Sequence, residues 1–261
     1  MEREITREQP RASKLGFDSF LGDVFGLNLL GLKSLWVAIK DPARYADAAR
    51  DKRWLDKYTP SFRIWFGLMA VLALMRFFAN DLVDVSIAYM EQMSLGSFAE
   101  LEPDGINSKK FMATVMARTL AFYPLGQLPF LAIVAAMFHS FPGKASYVLR
   151  LRWTFAVILP STLFSTMTSL AMPLYSGLLL SPWFMALLTV CVFALDWSTA
   201  SRGPLLGIEG RRRYGVALGF AVLLFVGSIL GFLLLNLGVT FYTAIELGIA
   251  AEQAAQAATT S

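Results

Sequence analysis

GIEGRRRYGVALGFAVLLFVGSILGF, residues 207–232, sets three consecutive arginines against an apolar run in which glycine recurs at four-residue intervals. Three readings compete: a basic patch for nucleic acid, a glycine-rich phosphate cradle, or the charged edge of a membrane-spanning helix. The cradle fails on chemistry. A nucleotide-binding loop follows a strand and ends in Lys-Ser/Thr, whose ammonium and hydroxyl hold phosphate and metal, and GIEGRRRYG has neither feature.

Composition decides between the other two. The 261-residue chain is 56% hydrophobic and 16% charged, with a mean hydropathy of +0.54, whereas soluble domains are about a quarter charged. Its 23 basic residues and net charge of +4 sit mainly between apolar blocks, where they act as orientation signals. Nucleic acid is not an expected partner.

A helical span needs about 20 mainly apolar residues. Five blocks meet this: residues 61–79, 118–141, 152–174, 179–198 and 214–240. The expected fold is therefore an all-α, polytopic membrane protein, with a cytoplasmic region over 1–60, a five-span domain over 61–240 and a short tail over 241–261. MEREITREQP at the start is charged and leads to no simple apolar stretch with a small-residue cleavage site, so a removable secretory signal is not expected.

Lys and Arg set the orientation. Eleven precede the first span, against two lysines and six acids in residues 80–110. Lys144, Arg150 and Arg152 follow the second span, residues 175–178 carry no charge, and Arg202 with Arg211, Arg212 and Arg213 follow the fourth. Basic and non-basic connections alternate, as five spans with N-in and C-out require. The arginines of the opening stretch thus mark the cytoplasmic start of the fifth span.

Residues 15–40 carry Leu29, Leu32, Trp36 and Ile39 at helical spacing beside Lys33 and Lys40. This is an amphipathic helix that either lies in the interface, with its lysines at headgroups, or packs on the protein's own spans. Asp41-Pro42 reads as an N-cap followed by proline at the first helical position. A charged helix through ARYADAARDKRW should follow, and Thr59-Pro60 should stop it. Lys33, Lys40, Lys52, Arg53 and Arg211 to Arg213 are the candidate contacts for anionic lipid or a cytosolic protein partner.

Gly215, Gly219, Gly227 and Gly231 form a small-residue stripe on the fifth span, suited to close helix packing within the chain or between copies in a homo-oligomer. In the second span, Arg118, Pro124, Gly126, Gln127 and Pro129 make an irregular set that fits a static kink or a cavity-lining broken helix. Six hydroxyl residues follow Pro160 in the third span, including Ser165, and their oxygens can bond to carbonyls freed by the proline. A small transporter or channel using Arg118, Gln127 and Ser165 is the alternative function. Arg76 and Arg118 can snorkel or pair with Asp81 or Asp84, and Asp196 reads as an interfacial anchor within reach of a cytoplasmic arginine.

Enzyme chemistry has little to draw on. His139 is the single histidine and Cys191 the single cysteine, and neither HExxH nor GxSxG occurs. No catalytic residue, metal or cofactor is expected.

FPGKASYVLRLRWTFAVILP, 141–160, and DWSTASRGPLLGIEGRRRYGVALGF, 196–220, resemble the region between the second and third spans, and the fourth-to-fifth-span region, of the Ypt/Rab-interacting (Yip) family. The resemblance covers roughly 120–232. It implies five spans, a cytoplasmic N-terminus and a short C-terminus across the membrane. DKRWLDKYTPSF, 51–62, instead resembles the pre-span segment of a group of bacterial membrane proteins. The expectation is a non-enzymatic interaction or scaffold protein of the bacterial cytoplasmic (inner) membrane, in a trafficking-like or membrane-organising role.

Overall fold

A computed structural model describes residues 29–51, 57–78, 108–137, 145–171, 181–202 and 208–260. Among these every regular element is a helix: α1 (Leu29–Lys40), α2 (Pro42–Ala48), α3 (Ser61–Phe78), α4 (Ser108–Met137), α5 (Tyr147–Ala171), α6 (Pro182–Ser201) and α7 (Arg212–Thr260).

The local signals act as their chemistry dictates. Asp41 caps α2, its Oδ1 accepting from the Arg44 N–H at 3.1 Å with Pro42 in the first turn. Pro182 likewise opens α6 after Ser181. The charged helix expected through residue 54 is shorter, since α2 ends at Ala48 and Arg50 and Asp51 turn away.

Three helices are long and apolar enough to cross a membrane: Tyr147–Ala171, Pro182–Ser201 and Arg212–Ala250. A fourth is formed if the two arms of α4, Ala113–Thr119 and Ala121–Met137, count as one span despite a 46° bend between them. The proline explains its position. The Pro124 ring displaces the carbonyl four residues earlier, that of Leu120, which sits at the bend. The apolar stretch Ser61–Leu74 of α3 is shorter than a span by itself. By length and apolarity the five expected spans therefore reduce to three or four among the described residues.

Helix α5 is the centre of the bundle. Of its most apolar window 56% is buried, against 17% for α6 and 22% for α7, and it touches α1, α2, α3, α4 and α6. Ile64, Trp65, Leu68, Met69 and Leu72 make one buried stripe on α3, where the Trp65 and Phe62 rings meet Phe155 of α5 at 5.2 and 5.1 Å. Helix α7 closes the other side, packing on α4 and α6. Its 49 residues extend about 74 Å at 1.5 Å per residue, far beyond the roughly 30 Å hydrocarbon core. The tail expected from residue 241 is the unbroken continuation of this helix.

Candidate functional site

The first N–H groups and last carbonyls of a helix lack partners within it. Side chains must supply them, and they do so densely at one end of the bundle. Arg202 Nη1 donates to the Ile39 carbonyl in the last turn of α1 at 2.6 Å. Trp153 Nε1 donates to the Ala46 carbonyl of α2 at 2.9 Å, and Arg152 Nη1 to that of Ala49 at 3.4 Å. The Ser34 hydroxyl accepts from the Thr59 N–H at 2.7 Å, and Tyr45 donates to the Thr59 carbonyl at 2.6 Å. Ser61 Oγ, opening α3, donates to the Arg152 carbonyl at 2.8 Å. Burial pushes the Tyr45 hydroxyl well above the ordinary phenol range, so it remains a donor at any working pH. Together these bonds latch α1 and α2 across the starts of α3 and α5 and the end of α6.

Of the two readings of the amphipathic segment, packing on the protein's own helices is what residues 29–40 show, and the other face of α1 is left open. Gly31, Ser34, Leu35 and Ala38 are buried against the bundle. On the opposite side Leu29, Leu32 and Trp36 are 76%, 54% and 63% exposed, with Lys33 and Lys40 exposed beside them. Residues 15–28, with Lys52 and Arg53, lie outside the described residues. Arg211 and Arg212 are exposed after a turn in which Gly210 takes a φ of 68°, a left-handed conformation that glycine adopts without penalty. Arg213 donates to the Tyr214 hydroxyl at 2.8 Å and lies over its ring.

Within the bundle, the polar candidates of α4 engage α7. Arg118 meets Glu246 through its two terminal guanidinium nitrogens, at 2.8 and 3.0 Å, donates to Thr243 Oγ1 at 3.1 Å and stacks on Tyr242. Asp81 and Asp84, the partners anticipated for Arg118, lie outside the described residues. Gln127 donates to the Ser228 carbonyl at 3.1 Å. Ser165 is half-buried on α5, and its carbonyl accepts from Thr168. Arg118 and Gln127 share the α4–α7 seam; Ser165 belongs to another helix.

The glycine stripe divides. A Cβ on Gly231 would lie 2.9 Å from Phe130 Cδ2 and 3.1 Å from the Gly126 carbonyl, and one on Gly227 would touch Phe130 at 3.5 Å. At Gly215 and Gly219 a Cβ would meet nothing within 4 Å. The first pair therefore permits the close approach of α4, whereas the second faces open space.

Asp196 departs from the expected interfacial position. It is buried, with its Oδ1 2.5 Å from Ser161 Oγ on α5, instead of anchoring at the interface to an arginine. Ser161 Oγ also lies 2.9 Å from the Ile158 carbonyl, two residues beyond the Ala156 carbonyl that Pro160 frees. The side chain of Arg76, and His139 altogether, lie outside the described residues. Among those described, no three His, Cys, Asp or Glu side chains gather to hold a metal.

Sequence reasoning missed the latch residues Ser34, Tyr45 and Trp153. A signal existed: Gly31, Ser34 and Ala38 recur at three and four residues on the side of α1 away from Leu29, Leu32 and Trp36, marking a second face smooth enough to pack. Compared with protein families, curated proteins and solved structures, the chain finds no match in any of the three.

Proposed function

We propose that the chain is a non-enzymatic, five-span scaffold of a bacterial cytoplasmic membrane, with the α1–α2 end in the cytoplasm and the end of α7 outside, and that the outer face of α1 rests in anionic headgroups. The carrying observation is the exposed stripe of Leu29, Leu32 and Trp36, flanked by Lys33 and Lys40, on a helix whose other face is bonded to the bundle. Apolar surface left in water costs about 25 cal/mol per Å². The boundary between headgroups and acyl chains removes that cost while the lysines reach phosphates.

The opening arginines support the orientation. Positive charge at a helix N-terminus opposes the helix dipole, so Arg211 to Arg213 do not serve the stability of α7. Holding a cytoplasmic helix end at the headgroups accounts for them. The resemblance to the Yip family implies the same topology. The transport alternative has less behind it, because Arg118 and Gln127 are bonded into helix packing.

The test uses the full chain in nanodiscs containing brominated phosphatidylglycerol. The difference in tryptophan emission between wild type and Trp36→Phe isolates Trp36, and bromine should quench it strongly. Unquenched Trp36 emission would remove the lipid contact and leave a cytosolic protein as the occupant of that face.

A further inference from the structure

Beside the latch, the turn after α2 and the start of α5 line an open cavity of about 400 Å³, formed among others by Ala49, Arg50, Ser146, Val148, Arg152 and Trp153. Its two arginines come from different elements and are both oriented by the protein. Arg50 lies over the Trp153 ring at 5.0 Å, and Arg152 is tied to the Ala49 carbonyl. Among the described residues that line it none is acidic.

We infer that this cavity binds a phosphate ester group, held between the Arg50 and Arg152 guanidinium groups with the Ser146 hydroxyl as a further donor. A guanidinium presents its N–H donors in a planar fork that matches phosphate oxygens. Ser146 Oγ already accepts from the Leu149 N–H at 3.3 Å, which leaves its own O–H to donate outward. The dipole of the 25-residue α5 adds positive potential at the same place. Val148, 57% exposed on the rim, offers an apolar side against which an acyl chain can lie. The same chemistry is carried by a phospholipid headgroup or by a soluble phosphate ester. The lipid source rests on the membrane orientation proposed above; the cavity does not.

Asp47 supplies the discriminating test. Its Oδ1 stands 3.6 Å from Arg50 Nε, with both side chains about half exposed, so it competes with phosphate for Arg50. Full-length protein is assayed in two arms: nanodiscs of phosphatidylcholine doped with phosphatidic acid or phosphatidylglycerol, read by retained lipid, and detergent micelles titrated calorimetrically with glycerol phosphate. Arg50→Gln should weaken binding by about tenfold or more in the arm that carries the ligand. Asp47→Asn should strengthen it by about two- to fivefold, the range set by an exposed ion pair. Misfolding cannot produce that gain. Asp51→Asn makes the same change in net charge at an acid paired with Lys57 instead, and should leave affinity unchanged.

Binding in the lipid arm alone, with this pattern of variants, identifies a headgroup; binding in the micelle arm identifies a soluble ester. Absence of binding in both arms, or binding indifferent to Arg50→Gln, or an equal gain from Asp47→Asn and Asp51→Asn, overturns the site. A quenched Trp36 with an indifferent Arg50 would remove the cavity and keep the membrane contact. An unquenched Trp36 with phosphate held in micelles would do the reverse.

Discussion

At the scale of single residues, four glycines that look equivalent in the sequence do different work. A helix turns about 100° per residue, so the 16 residues from Gly215 to Gly231 rotate the second roughly 160° away from the first. The stripe is therefore two pairs whose centres lie about 120° apart around the helix, and only the Gly227–Gly231 pair meets α4. Gly231→Ala should force the Phe130 ring and the Gly126 carbonyl apart from α7 and destabilise the protein by about 1–3 kcal/mol, as overpacking does. Gly219→Ala, with open space around it, should stay within about 0.5 kcal/mol. Thermal unfolding of the two variants in one detergent decides the matter, and equal melting temperatures would contradict the division. The glycine spacing was legible in the sequence; which pair is covered depends on where α4 crosses. Asp196 follows the same rule. Its position near a helix end was readable, but its rotation toward Ser161 is set by packing between α5 and α6.

At the scale of elements, helix existence is legible across the described residues and helix length is not. The blocks at 152–174, 179–198 and 214–240 correspond to α5, α6 and α7, because long apolar runs leave no alternative in a bilayer. The continuation of α7 beyond residue 240 is not signalled by hydropathy, which falls there, although AAEQAAQAA is rich in helix-forming alanine, glutamine and glutamate. The long α7 gives the far arm of α4 something to pack on: Phe111 and Val115 join Val239 in a separate apolar cluster, and Arg118 clamps Glu246 above it. The bend at Leu120 lies between this contact and the Gln127–Ser228 contact, so Pro124 sets the angle that lets both form. Pro124→Ala restores the donor to the Leu120 carbonyl and should straighten α4. In a Cys191→Ser background, a disulfide between Val115→Cys and Val239→Cys should then form several-fold less readily, a loss worth about 1 kcal/mol of the closed geometry. Undiminished crosslinking would mean that the proline follows the bend instead of causing it.

At the scale of the whole molecule, the question is whether α3 crosses the membrane. Its 18 residues reach about 27 Å, marginally short of a typical core, and its apolar stretch is shorter still. Two bonds bear on the answer. Ser61 joins the start of α3 to the start of α5, whereas Arg118 joins the early part of α4 to α7 beyond residue 240. Helix α4 then returns toward the first end, where Tyr147 and Arg150 of α5 donate to its Ala132 and Ala136 carbonyls. The chain between Ser61 and Ser108 thus starts at one end of the bundle and finishes at the other, and α3 is the described helix along that route. A crossing α3 makes the spans odd in number and puts the two chain ends on opposite sides; a non-crossing one leaves four and puts them together. Single cysteines in the Cys191→Ser background separate these cases by labelling with an impermeant maleimide in intact cells. Lys57→Cys and Arg211→Cys should resist the reagent until the membrane is opened, if the basic end lies in the cytoplasm as proposed. Ala250→Cys should react at once. Were Lys57→Cys and Ala250→Cys to label alike, α3 would not be a span, and the basic residues before it would need an explanation other than membrane orientation.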